Sequence, residues 1–357
     1  MNQPVDFLDT LSTYRPLVWQ VIKPYLDDLV NFPNFCKPAQ KYQSLVNFNQ
    51  KIISDYPTRQ GKYVRPTLVL LTASSLGFPV KKALLTAAAM QVSEDWILIH
   101  DDFEDDSEQR RGQPALHHQI GKELAVNAGD GLHILMWKIL SDNQNIIGST
   151  LSYQIQKEFY TMLSRTVLGQ TTEIKWTQEN NLDLTEKDVL FILESKTAYY
   201  TIAGPMRLGA ILAGATPTQL DKIFQFGKYL GFCFQIQDDL LDLTSDFAGH
   251  KKQTGNDIYE GKRTIMLVHL LKNIEPKNKQ KLIKILSKPR FQKTPKEVTW
   301  VIDQMDKYGS LDYSRKQTKK YADLALDYFQ NELKFLSKNP ARQQLLSFID
   351  FLQNRQY

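Results

Sequence analysis

The sequence predicts an all-α protein, a single large bundle of ten or more helices spanning residues 1–357. Three observations carry that reading. Apolar residues recur at spacings of three and four along most of the chain. Glycine and proline gather at short joints between those stretches. No alternating strands joined by hairpin signals are found, and no low-complexity linker divides the chain.

The elements follow in order. Residues 15–32 and 42–54 carry spaced apolar positions with polar residues between them. Residues 64–76 and 81–100 are denser in apolar residues and are expected to be buried on most sides. Residues 121–140, 150–176, 186–214, 217–245, 260–272 and 277–288 continue the pattern, and 312–353 closes it. Joints fall at Pro57 to Gly61, Gly77 to Pro79, Gly112 to Pro114, Pro217, Gly249 to Gly255, Pro289, Pro295 and Pro340. Residues 1–40 read as a helical extension, 60–265 as the core that bears the motifs, and 266–357 as C-terminal helices.

Bulk properties narrow the function classes. The 42% hydrophobic share supports a sizeable core, and the 23% charged share is ordinary for a globular chain. A net charge of +5 and a pI of about 8.9 are too mild to argue for nucleic acid, but they suit a basic site for a phosphorylated ligand. Cys36 and Cys233 read as apolar thiols, which fits a reducing compartment. The N-terminus lacks a basic stretch followed by an apolar one, and no run of about 18 apolar residues occurs. A soluble, cytoplasmic protein without a membrane span is expected.

Two acidic clusters dominate the chemistry. Asp101-Asp102-Phe103-Glu104-Asp105 and Asp238-Asp239-Leu240-Leu241-Asp242 both read D-D-x-x-D, and both interrupt apolar runs, where bare carboxylates are costly. The first run, VSEDWILIHDDFEDD, reads as the C-terminal half of a helix. Residues four apart share a helical face, so Asp101 and Asp105 project together, while Asp102 points roughly 100° away. The second cluster repeats this with Asp238 and Asp242 on one face and Asp239 alongside, and Gln235 one turn earlier. Oxygen-only donors without paired His or Cys favour Mg²⁺ over Zn²⁺, and Mg²⁺ commonly completes its shell with substrate phosphates. Two facing helices of this kind could hold Mg²⁺ ions for a diphosphate.

Basic residues accompany both clusters. Arg110 and Arg111 follow the first, and guanidinium matches phosphate bidentately. Lys252, Asp257 and Lys262 follow the second. GKYVRP places Lys62 and Arg65 three apart, so both can occupy one helical face near its start. ESKT supplies Lys196 and Thr197 within a helix, and GQTTE supplies Gln170 and Glu173.

Taken in order, GKYVRP, LIHDDFEDDSEQRRGQPALH, NAGDGL, GQTTE, ESKT, GFCFQIQDDLLD and DIYEGKRT resemble the trans-isoprenyl diphosphate synthases, the family of farnesyl and geranylgeranyl diphosphate synthases. The resemblance covers roughly residues 60 to 265. It implies a helical bundle around a central cavity, usually as a homodimer. It also implies transfer of an allylic group (dimethylallyl, geranyl or farnesyl) from its diphosphate to isopentenyl diphosphate, with three Mg²⁺ per active site. Asp101, Asp105 and Asp238 would ligate Mg²⁺, assisted by Asp102, Asp239, Asp242 and Glu173, the last replacing the family's usual Asp. Arg110, Lys196 and Lys252 would grip the allylic diphosphate, with Thr197 and Gln235 lining the reacting region and Lys262 closing over it with residues 247–260. Lys62, Arg65 and Arg111 would grip isopentenyl diphosphate, and the resemblance carries Arg355 over to the same subsite.

The resemblance also assigns Trp96, five residues before Asp101 and roughly 7.5 Å down the helix, as the floor that limits the product to C15 or C20. Helical geometry alone turns Ile97 closer to the direction of Asp101. Two positions depart from the family pattern: Glu94 stands where His or Gln is usual, and Gln60 where the first glycine of G-G-K is usual. Two competing readings are a non-catalytic partner subunit, which should have lost acids from one motif, and a terpene cyclase, which should lack the second D-D-x-x-D and the GKYVRP segment.

Overall fold

A computed structural model describes residues 6–244 and 254–353. The helices are α1 (Phe7–Asp27), α2 (Gln43–Ile53), α3 (Asp55–Arg59), α4 (Val64–Ser75), α5 (Val80–Glu104), α6 (Leu116–Ile120), α7 (Lys122–Asp142), α8 (Gln144–Ile147) and α9 (Ser149–Gln178). They continue with α10 (Glu186–Ile192), α11 (Gly204–Leu212), α12 (Pro217–Thr244), α13 (Asn256–Glu260), α14 (Ile265–Asn273), α15 (Pro276–Leu286), α16 (Pro295–Lys307), α17 (Ser310–Glu332) and α18 (Ala341–Gln353). The all-α expectation holds, with two local corrections. Gln109–Arg110 and Gln113–Pro114 form a small antiparallel pair, β1 and β2, turned by Arg111 and Gly112 at φ of 54° and 75°. Two consecutive left-handed residues are what a tight hairpin needs. The expected unbroken stretch 186–214 is wound as a π-helix over Leu193–Ala203, between α10 and α11.

Helix ends differ where capping decides them. α1 begins well before residue 15, because the Asp6 carboxylate accepts the Leu8 N–H at 2.9 Å and buries Phe7, Leu11, Val18, Ile22 and Leu26 along one face. The stretch 312–353 divides into α17 and α18. The N–H groups of Ser337 and Lys338 turn to the Ser75 carbonyl at 3.1 and 2.8 Å instead of continuing a helix.

Within the described residues the chain forms two compact units, each discontinuous in sequence. The first takes residues up to Glu158, with Pro205–Thr216 and Leu336–Leu345; the second takes Phe159–Gly204, Pro217–Phe335 and residues from Leu346. In the first unit α5 is the central element, packed by α7, α4 and α1. Its alanine-rich middle, Ala87 to Asp95, is buried on every side. Gly129 and Gly131 of α7 allow this closeness: a Cβ at Gly129 would collide with the His100 ring, and one at Gly131 with Ile53. In the second unit α12 is central, packed against the π-helical segment and α17. Gly227 and Gly231, one turn apart, let it lie directly on Ala203 and Ala198.

Candidate active site

The first unit carries one set of the sequence-identified residues at the C-terminal end of α5. Asp105 is the C-cap, its N–H bonded to the Asp101 carbonyl at 2.9 Å, so the two acids lie one turn apart on one face, both half-buried. Asp102 points inward and is fully buried. Its carboxylate accepts the Tyr56 hydroxyl at 2.5 Å and the Arg110 Nε at 3.0 Å from each oxygen, with Arg110 Nη2 also donating to Oδ1. Both Asp102 oxygens are therefore held by the protein's own donors. In return Arg110 is fixed with Nη2 4.0 Å from Asp101. Burial opposes the Arg110 charge, but Asp102 and Asp101 raise its pKa above the ordinary value.

Arg111, at its left-handed turn position, reaches in the other direction. Its Nη1 donates to the Tyr56 carbonyl at 2.7 Å, and its Nη2 lies 2.7 Å from the buried Asp95 carboxylate. Gly61 makes room for this, since a Cβ there would stand 2.9 Å from the Arg111 guanidinium. The unusual Glu94 is turned toward a base: its Oε1 lies 3.1 Å from Arg65 Nη1 and 3.9 Å from Arg111 Nη2. Lys62 is not on the face of α4 with Arg65, because α4 begins at Val64 and Tyr63 before it is left-handed (φ 61°). Lys62 is exposed on the preceding loop. Gln60, at the position where the resemblance leads to the expectation of glycine, also has a positive φ of 46°, a conformation glycine adopts without strain. Trp96 stacks on His133 of α7 with ring centroids 4.1 Å apart, and Ile97 is half-buried beside it in sequence.

The second unit repeats the arrangement of the acids. Asp238 and Asp242 are half-buried, whereas Asp239 is buried and gripped by a cation, its Oδ1 accepting from Lys262 Nζ and Gln235 Nε2, each at 2.8 Å. Gln235 Oε1 accepts the Thr197 hydroxyl at 2.9 Å, so Thr197, Gln235, Asp239 and Lys262 form one chain of hydrogen bonds. Asp257 adds a second carboxylate 3.6 Å from Lys262, and its N–H donates to Asp242 Oδ2 at 3.0 Å. Burial opposes the Lys262 charge, yet Asp239, Asp257 and Glu173 hold it well above the ordinary lysine range; burial pushes Asp239 and Asp257 up. Lys196 Nζ donates to Glu173 Oε2 at 2.7 Å. Its backbone is approached closely by α9, where a Cβ at Gly169 would stand 2.8 Å from the Lys196 nitrogen. π-winding often marks functional segments, and here it carries both Lys196 and Thr197.

Lys252, Arg355 and part of the 247–260 segment lie outside the described residues. Tyr56, Tyr63 and Asp95 escaped the reading of the sequence. Tyr56 and Tyr63 are among the largest fully buried side chains. The available signal was modest: Asp95 is an acid in the run before the first motif, and Tyr56 and Tyr63 are aromatic residues in the polar stretch SDYPTRQGKY.

Each unit thus carries, in an all-α scaffold, a carboxylate pair at a helix end with the acid between them locked by a cation. That combination belongs to helical enzymes that handle anionic substrates with oxygen-bound cations. The family model for polyprenyl synthetase matches residues 47–305, and the chain belongs to that family. That membership makes it a prenyltransferase. The chain is 29% identical to the short chain isoprenyl diphosphate synthase of Methanothermobacter thermautotrophicus, over 99% of this chain and 100% of the relative. It is 32% identical to the geranylgeranyl diphosphate synthase of Sulfolobus acidocaldarius, over 76% of this chain and 80% of the relative. The structure superposes with a TM-score of 0.85 on a geranylgeranyl pyrophosphate synthase from Corynebacterium glutamicum, complexed with isoprenyl diphosphate and magnesium, at 22% identity over 97% of this chain and 99% of that one. No helix among the described residues is long and apolar enough to cross a membrane.

Proposed function

We propose that this protein is a cytoplasmic, short-chain trans-prenyltransferase that joins isopentenyl diphosphate to an allylic diphosphate, giving geranylgeranyl (C20) or farnesyl (C15) diphosphate. The observation that carries the proposal is that both D-D-x-x-D clusters are intact and built alike. In each, the outer acids are half-buried, and the middle acid is fixed by Arg110 or Lys262. A partner subunit that had lost catalysis has no need of two such sets, and a cyclase has no need of the Arg65 and Arg111 pair. The donor set is all carboxylate and fits Mg²⁺, with Asp101, Asp105, Asp238, Asp242 and Glu173 as the holders and a complement of three ions. Mg²⁺ would neutralise charge on the departing diphosphate.

The chain's own residues supply the rest. Arg110, Lys196 and Lys252 hold the allylic diphosphate. Arg65, Arg111 and Lys62 hold isopentenyl diphosphate. The allylic C–O bond breaks with its electron pair leaving on the diphosphate, the isopentenyl double bond attacks the allylic cation, and a proton is lost to the released diphosphate. Thr197 and Gln235 line the reacting region, and the surrounding side chains exclude water, which would otherwise quench the cation. A homodimer is part of the proposal. Tyr160 and Val167 stand seven apart along α9 and are 67% and 56% exposed, apolar positions suited to a second copy.

The test is incubation of purified protein with isopentenyl diphosphate, Mg²⁺ and each allylic starter in turn, followed by product chromatography. Elongated linear diphosphates support the proposal. Cyclic hydrocarbons, or no product with any starter, would replace it with one of the two competing readings.

A further inference from the structure

Outside the residues assigned above, Asp106, His117 and His118 bring one carboxylate oxygen and two imidazole nitrogens within 4.8 Å of one another. His117 is 5% exposed, and neither of its ring nitrogens has a hydrogen-bond partner. A buried imidazole with both nitrogens unsatisfied is costly. Its Nε2 lies 3.7 Å from Asp106 Oδ1, and its ring centroid is 4.1 Å from that of His118. Asp106 and His118 are exposed, so both can adjust. Around a four-coordinate ion with bonds near 2.0–2.1 Å, ligand atoms stand about 3.4 Å apart. The His117–Asp106 separation is already close to that, and the exposed His118 can turn its ring to close the remaining gap.

We propose that Asp106, His117 and His118 form a second metal site, separate from the aspartate clusters and selective for a borderline divalent ion such as Zn²⁺ or Co²⁺. Two imidazoles and one carboxylate suit those ions and not Mg²⁺, which prefers an all-oxygen shell. Three protein ligands leave a position for water. Asp106 precedes the hairpin that carries Arg110 and Arg111, and His117 follows it, so an ion here ties the two ends of that hairpin together.

The experiment is titration of the full chain with Co²⁺ under saturating Mg²⁺, read by visible d–d absorption, with Zn²⁺ as competitor. One Co²⁺ per chain, displaced by Zn²⁺, is expected. Asp106→Asn and His118→Ala should each weaken it by at least about tenfold, while Asp105→Asn leaves it unchanged. Both substitutions fall at exposed positions, so they carry the test even if His117→Gln disturbs folding. Amides 107–115 should exchange more slowly with Zn²⁺ bound. The proposal is overturned if no Co²⁺ binds once Mg²⁺ is saturating, if His118→Ala binds as the unmodified chain does, or if Asp105→Asn abolishes the signal.

Discussion

Glu94 places its carboxylate 3.1 Å from the guanidinium of Arg65. This relationship answers the oddity of an acid at a position expected to lie beside a diphosphate. The acid is tied to a base, and it draws on positive charge that an incoming diphosphate would otherwise meet. Glu94→Gln should release Arg65 and remove a repulsive charge. The two side chains are only 20% and 12% exposed, and after both charges lose water the net gain from such a contact is on the order of 1 kcal/mol. The KM for isopentenyl diphosphate should therefore fall roughly three- to tenfold, with the KM for the allylic substrate unchanged. Steady-state kinetics with each substrate varied in turn measures this, and an unchanged isopentenyl KM would show that Glu94 does not tune that subsite.

Asp102 and Asp101 are neighbours with opposite expected behaviour. Asp102→Asn removes the buried charge that faces Arg110, and breaking such a pair costs about 3–5 kcal/mol. Tyr56→Phe removes a hydroxyl that donates to Asp102 and accepts the Leu116 N–H at 3.3 Å, at a cost of about 1–3 kcal/mol. Both should lower the urea midpoint. Asp101→Asn should leave the midpoint within about 0.5 kcal/mol of the parent and cut kcat by about a hundredfold or more. If Asp101→Asn unfolds as readily as Asp102→Asn, the division between a positioning acid and a cation-binding acid fails.

A pH signature belongs to Asp95. Burial raises its carboxyl from 3.8 to about 6, against the pull of Arg111. Between those values the folded protein keeps a proton that the unfolded chain has released. Stability supplied by this group is thus complete below about pH 4 and is lost as pH rises through 6. The shift corresponds to on the order of 3 kcal/mol at roughly 1.4 kcal/mol per unit. Asp95→Asn cannot titrate, so its stability relative to the parent should climb by that order between pH 4 and pH 7. Urea unfolding of both proteins across the range reads the difference directly, and other carboxylates cancel. Parallel profiles would show that Asp95 does not carry the shift.

Much of the fold and of the acid-bearing half-sites was legible because their signals are local. Two carboxylates four apart at the end of an apolar run announce themselves, and so do an Arg pair before a glycine and the spacing of α4, α5 and α12. What escaped depends on contacts distant in sequence or on small backbone choices. Tyr56 meets Asp102 across 46 positions, and nothing near either residue points to the other. Over LESKTAYYTIA the apolar pattern does not separate i→i+4 from i→i+5 winding. The glycines that let α12 lie against this segment, Gly227 and Gly231, were visible as a pair four apart but belong to a different helix. Lys62 was placed on α4 by spacing alone, whereas the left-handed Tyr63 puts it on the loop. The early start of α1 turns on one cap, Asp6.

Trp96 is braced by aromatic neighbours. Trp96 is stacked on His133, and His133 is held in turn by Trp137, whose Nε1 donates to its Nε2 at 2.9 Å. His100 also meets the Trp96 ring edge-on at 6.1 Å. A ring so supported cannot easily swing aside for a growing prenyl chain. Trp96→Ala should lengthen the product by at least one isoprene unit. His133→Ala, which leaves the tryptophan but removes its support, should give a mixture of parent and longer products. Trp96→Phe retains a ring and should keep the parent length. Product chromatography of the three variants, with Ile97→Ala beside them, decides the matter. If Ile97→Ala lengthens the product and Trp96→Ala does not, the limit is set by the residue that helical geometry turns toward Asp101, and the stacked tryptophan is a packing element of α5 and α7.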